Sequence, residues 1–242
     1  PFDLGVFLVQ EEVMSKIGKY APSVRGRVRA MNGEFSGGTA ASMKATMSSL
    51  KTNPELINVL INPHGLCEGI NGAQQEDDTK PKYDEELDVW VAPFFMAPIN
   101  TKNIHRSNKL MNHIYGKDFL YHEMWITGPG EQGKAAAEML AGNNPIAGDD
   151  VPAPGEGPSR EKRENGNYDI LFCADVDGKV FKASVSGDMD PGYGSTSKMI
   201  TESAICLVKD AKELEGGIYT PAAALGNKLI SRLEANAGLT FI

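Results

Sequence analysis

Apolar positions at Leu4, Leu8, Val13 and Ile17 recur near helical spacing and predict a helix over residues 4–18. The period then changes. In SVRGRVRAM, Val24, Gly26, Val28 and Ala30 alternate with Arg25, Arg27 and Arg29, the signature of a strand with one polar face. NGEFSGGTAASMKATMSSL turns into a helix, residues 54–61 add a helical turn or two, and 62–85 read as polar loop. LDVWVAPFF predicts a strand. APINTKNIHRSNKLMNHIYG predicts a helix with Pro98 near its start and Gly116 at its end. DFLYHEMWIT is the next strand, its alternation that of a half-exposed antiparallel one, and EQGKAAAEMLAG the next helix. Residues 143–167, rich in Pro, Gly and charge, read as surface loop. YDILFCADVDGKVFKASVSG holds two alternating strands around Asp177-Gly178, a strong type I′ hairpin signal. A helix over residues 195–209 follows, then one opened by a Thr220 cap and Pro221 that runs to residue 236, then the short strand LTFI. These elements sum to an α+β fold: a mixed, largely antiparallel sheet with helices packed mainly on one face.

Composition narrows the function classes. At 242 residues, 41% hydrophobic and 23% charged, the chain is an ordinary globular one with ample core. A net charge of −8 without a Lys/Arg run argues against nucleic acid. The longest apolar stretch, VWVAPFFMAPI, is too short for a transmembrane segment and holds two prolines; it reads as a buried strand and loop, with peripheral lipid contact as the alternative. Cys67, Cys173 and Cys206 are widely spaced and odd in number, which fits reduced thiols and a cytoplasmic setting. The opening PFDLGVFL reads as the interior of a longer polypeptide.

Several stretches carry candidate chemistry. A strand, Gly128, Gly130, Gly133 and an Ala-rich helix mimic the start of a dinucleotide-binding unit. The fingerprint also needs a second parallel strand and an acidic residue about 20 positions on. Asp149 and Asp150 lie at that distance, but no apolar strand delivers them, so the glycines read as a plain strand-to-helix turn. FSGGTAAS, residues 35–42, places Ser36, Gly37, Gly38 and Thr39 at a helix N-terminus, where free N–H groups and the helix dipole favour an anion; a simple helix cap is the alternative. Arg106 shares a helix side with Ile99, Leu110 and Ile114 and so needs an acceptor, either a substrate anion or an internal acid such as Glu202. In GDMDPGYGST, Asp188 and Asp190 could do acid–base work or form turns, and Tyr193 could donate a proton. The four histidines show no convergence, and no metal site is expected from them.

PFDLGVFL, EFSGGTAAS, APFFMAPINTKNIHRSNKL, PAPGEGPSREKRENG, VSGDMDPGYGSTSKMITESAICL and GGIYTPAAALGNKLISRLEANAGLTF occur in that order. Together they resemble the C-terminal part of saccharopine dehydrogenase-like oxidoreductases, including the trans-acting enoyl reductases. The resemblance implies an NAD(P)-dependent oxidoreductase, acting in some members on lipid-like acyl intermediates, with NAD or NADP held mainly by an upstream Rossmann domain outside these residues. Residues 1–17 would then form the junction helix, 18–217 the substrate and dimer-forming domain, and 218–242 a helix and strand packing back on the nucleotide-binding domain. The chain alone would be inactive. In this reading Ser36, Gly37, Gly38 and Thr39 face the cofactor, Asn100, Arg106, Asp188 and Asp190 bind substrate, and Tyr193 is catalytic. The partners are a small-molecule or lipid-like substrate and a second copy in a homodimer. The competing expectation is a non-catalytic binding or assembly module of the same fold, with a lipid or protein partner.

Overall fold

The computed structural model describes residues 1–34, 36–69, 72–142, 152, 153 and 155–242. Phe35, Asp149 and Asp150 lie outside the described residues. Helix α1 (Phe2–Ile17) leads into β1 (Ser23–Asn32), then α2 (Gly37–Thr52) and α3 (Leu56–Ile61). The strands β2 (Lys82–Asp84) and β3 (Val89–Pro93) precede α4 (Ala97–Leu110), β4 (Leu120–Gly128) and α5 (Gly130–Gly142). The short α6 (Arg160–Glu164) is followed by the hairpin β5 (Asn167–Val176) and β6 (Lys179–Gly187), then α7 (Gly194–Lys209), α8 (Pro221–Asn236) and β7 (Leu239–Phe241).

The strands form one seven-stranded sheet in the order β2-β3-β4-β1-β5-β6-β7. Five of its six pairings are antiparallel; β1 and β4 run parallel. The α+β expectation therefore holds. The hairpin turn falls where the sequence places it, with φ of 50° at Asp177 and 72° at Gly178. The core lies under α1, α4 and α8. Leu4, Val6, Val9 and Val13 of α1, Ile104 of α4, and Leu225, Leu229 and Leu233 of α8 pack with Val24, Tyr168, Ile170, Phe172 and Val185 of the sheet. Among the described residues no helix is long and apolar enough to cross a membrane.

Two sequence readings need correction, and a third, of VWVAPFFMAPI, resolves toward the buried strand and loop. β4 is not a half-exposed antiparallel strand: it pairs in parallel with β1 as well as antiparallel with β3, and its centre, Tyr121 to Met124, is buried. Thr220 does not cap α8 with its own side chain. Asp3 of α1 does that work by accepting the Ala222 N–H at 2.7 Å, while Ser107 Oγ bridges Asp3 and Thr220 at 2.5 and 2.6 Å. In VWVAPFFMAPI, Phe94 is buried against Phe2, Phe95 and Trp125, and half-buried Trp90 packs on Tyr83 under the Lys134 ammonium. Most of that run serves internal packing.

Candidate functional site

The first group of interest is built on β4. Tyr121 and Glu123 are two residues apart on a strand, so their side chains share a face. Opposite Glu123 the parallel partner strand presents Gly26, which leaves room for the Tyr121 hydroxyl. That hydroxyl donates to Glu123 Oε2 at 2.5 Å, and Asn100 of α4 donates from Nδ2 to Oε1 at 2.7 Å. Glu123 is fully buried. Burial pushes its carboxyl up to about 7, although the Tyr121 and Asn100 bonds pull the other way. The Tyr121 phenol is raised well above its usual range by burial and then by Glu123. The result is a buried carboxyl that changes protonation near neutrality, in direct contact with Asn100.

The edge of β4 beside this group precedes the β3 pairing. Side chains complete it instead. Gln75 Oε1 accepts the Tyr121 N–H at 2.9 Å, its Nε2 donates to the Phe119 carbonyl at 3.3 Å, and Asp78 Oδ2 accepts the Glu123 N–H at 3.3 Å. Segment 73–78 thus runs beside the strand and satisfies its backbone without forming a ladder.

The second group lies where β1 ends. Ser36 caps α2, accepting the Thr39 N–H at 3.0 Å, and its carbonyl accepts the Ala40 N–H at 3.2 Å. The Gly37 N–H donates to the Glu156 carbonyl at 3.0 Å, and Tyr193 Oη donates to the same carbonyl at 3.3 Å. Gly37 must be glycine for this approach, because a Cβ there would collide with the Ala153 carbonyl. Beside Tyr193 opens a cleft of about 440 Å³ lined by Gly157, Arg160, Arg163, Ser197 and Lys198. Asp190, also buried, accepts N–H groups from Gly192, Tyr193 and Gly194 at 3.0, 2.9 and 2.6 Å. Its carboxylate therefore shapes the turn into α7. Asp188 is exposed, with Lys198 at 3.8 Å. We expect Asp190→Asn, which keeps one acceptor oxygen for three donors, to cost about 1–2 kcal/mol. Urea denaturation reads this, and an unchanged midpoint would remove Asp190 from the turn's support.

The structure thus brings Gly37 and Tyr193 together at the Glu156 carbonyl, with Ser36 and Thr39 bonded to each other at the α2 cap, and ties Asn100 to Glu123. It does not unite the two groups at one place on the sheet. Glu123 lies beside mid-strand Gly26, whereas Ser36 follows Asn32 at the strand's end. Arg106 stands apart from both, donating to the carbonyls of Leu66 and Ile218 at 3.0 Å each. Its expected partner Glu202 instead pairs with Arg232 at 3.2 Å. The expected Arg106 face was also misjudged, since Ile99 and Ile114 are exposed while Ile104, His105, Ser107 and Asn108 turn inward.

The histidines do converge in part. His64 and His105 stack with ring centroids 4.2 Å apart, and the buried His105 Nε2 has no hydrogen-bond partner. Burial pushes His105 down to about 3, with His64 and His122 adding to the shift. Sequence reading missed Glu123, Tyr121 and the 73–78 segment. The one available signal was a His-Glu pair inside an otherwise apolar strand.

The glycine turn at 128–133 closes on itself. The Gly133 N–H bonds to the Pro129 carbonyl at 3.2 Å, Thr127 Oγ1 donates to the Gly133 carbonyl at 2.8 Å, and a Cβ at Gly133 would strike the Gly128 carbonyl. These groups make a tight strand-to-helix connection.

A Mycobacterium tuberculosis protein named "putative trans-acting enoyl reductase" is 32% identical over 263 residues, covering 97% of this chain and 62% of its own length. Trans-acting enoyl reductases of Mycobacterium bovis and Mycobacterium ulcerans are each 29% identical, over 82% of this chain and 54% of theirs. This chain is homologous to part of the trans-acting enoyl reductases. It spans 54% to 62% of the length of these enoyl reductase relatives. No family model matches the chain, and no solved structure matches it.

Proposed function

We propose that the chain is the substrate-shaping part of an NAD(P)-dependent enoyl reductase whose nucleotide binds on a domain outside these residues. The observation that carries this reading is the homology with the mycobacterial enoyl reductase over 97% of the chain. One structural feature supports the division of labour: the α2 N-terminus directs the Gly37, Thr39 and Ala40 N–H groups to acceptors within the chain. Nicotinamide, when bound to the neighbouring domain, would supply hydride to an enoyl double bond.

Within that reading Asn100 is the substrate contact we favour. An amide carries two N–H donors. Glu123 holds one of them and so fixes the plane of the amide, leaving the second to meet the oxygen of an acyl group as charge builds on it. Glu123 touches Asn100 and not the substrate, so it is a positioning residue. Tyr193 belongs to the other group, beside the cleft with Arg160, Arg163 and Lys198; those cations suit an acidic or phosphorylated carrier arm of the acyl substrate, and Tyr193 is proposed to contact that arm, not to protonate the double bond held at Asn100. Ser36, Gly37, Gly38 and Thr39 form the wall on the cofactor side. Asp190 and Arg106 support the site through the turn and the backbone carbonyls they hold.

Asn100→Ala, in the protein carrying its nucleotide-binding domain, is expected to lower kcat/KM on an enoyl thioester by about 100-fold. Circular dichroism should remain that of the folded protein. Unchanged kcat/KM would remove Asn100 from the substrate site.

A further inference from the structure

Segment 73–78 brings two carboxylates to β4 beside His122. The His122 side chain is nine-tenths buried, at 6% exposure, and its Nδ1 has no hydrogen-bond partner. Nδ1 lies 3.5 Å from Asp78 Oδ2, and Nε2 lies 3.9 Å from Glu76 Oε1. One ligand atom from each of Glu76, Asp78 and His122 can be chosen so that all lie within 4.8 Å of one another. A buried imidazole nitrogen without a partner is costly unless something binds it. Here Nδ1 faces the Asp78 carboxylate, while the Glu76 carboxylate approaches the same ring from the Nε2 side, and both carboxylates match imidazole as metal ligands.

We propose that Glu76, Asp78 and His122 bind one divalent transition-metal ion of the zinc class, which clamps segment 73–78 onto the edge of β4. Zinc bonds of about 2.0–2.2 Å to nitrogen and oxygen put tetrahedral ligand atoms roughly 3.4 Å apart, so shifts of well under 1.5 Å close the present arrangement. Glu76 is the most exposed of the three at 64%, so its carboxylate has room to shift inward while Lys82 keeps its outer oxygen. The imidazole selects against magnesium and calcium, which prefer oxygen alone. Lys82 lies 2.9 Å from Asp78 Oδ1 and 3.1 Å from Glu76 Oε2. It holds the outer oxygens and orients both carboxylates, while its charge weakens the pull on a second cation. The clamp does not depend on the enoyl reductase reading. Segment 73–78 already supports Tyr121 and Glu123 through Gln75 and Asp78, and the ion would fix it there.

Calorimetric titration of the whole chain with ZnCl2 tests the proposal, with Co2+ absorption as a spectroscopic check on geometry. The expected result is one equivalent bound, a raised melting temperature and a Co2+ spectrum of low coordination number. Glu76→Gln, exposed and so safe for folding, should weaken binding by at least about tenfold, as should Asp78→Asn, and Lys82→Met should tighten it. A titration with no one-to-one event would overturn the proposal. So would an event that Glu76→Gln and Asp78→Asn leave unchanged, since the ion would then sit on other histidines or cysteines.

Discussion

Between pH 4 and pH 8 the chain is expected to lose about 3 kcal/mol of stability that a Glu123→Gln variant keeps. The sign follows from the direction of the shift. Burial raises Glu123 from 4.5 to about 7 in the folded state. Below 4.5 the carboxyl is protonated in both states and carries no penalty. Between the two values the unfolded chain releases the proton while the folded chain retains it, so stability falls as pH rises through 7. Glutamine carries no proton to release and still offers an acceptor to Tyr121 or Asn100. Urea denaturation of both proteins across the range gives the difference curve. Parallel curves would show that Glu123 titrates normally, and the buried-carboxyl account of the β4 group would fail.

His105 produces the opposite slope. Its folded-state value is pushed down to about 3 from 6.5, by burial first and then by His64 and His122. Above 6.5 the imidazole is neutral in both states. As pH falls, the unfolded chain takes up a proton that the folded core refuses, so stability drops toward 3. From pH 7 to pH 4 the loss is about 3 kcal/mol, and His105→Leu, similar in volume, should abolish it. The readout is the difference between the two proteins, which cancels other acid-titrating groups. A wild type and variant that lose stability in step would show that His105 is protonated in the folded protein. Between about 4.5 and 6.5 the two slopes run against each other and largely cancel in the wild type, so each is resolved only by its own variant's difference curve.

Local pattern carried most of the architecture. The β5–β6 hairpin needed only alternation and Asp177-Gly178; helical spacing after Pro221 places α8 but not its break at Gly226, where φ is 46° and ψ −129°. What the pattern could not supply was contact between distant residues. Alternation in DFLYHEMWIT cannot distinguish a strand open on one face from one covered on both, so nothing local marks Glu123 as buried. Asp3 caps α8 from 219 residues away, a cap no local rule finds. The strand β2 is three residues long inside a polar loop, and the carboxylates beside it gain meaning only from His122, some 40 residues on. Among the candidate residues, Asn100 meets Glu123, Gly37 and Tyr193 meet at the Glu156 carbonyl, and Arg106 holds backbone carbonyls. Each outcome depends on a loop whose course the sequence leaves open.

The account rests on one separation: substrate is shaped here, and the nucleotide is held elsewhere. Nicotinamide fluorescence decides it. NADPH and NADH are titrated into the protein carrying its nucleotide-binding domain and into residues 1–242 alone. The expected result is saturable binding of at least one cofactor by the former and none by the latter. Saturable binding by residues 1–242 with the same affinity would contradict the account, as would an absence of binding in both.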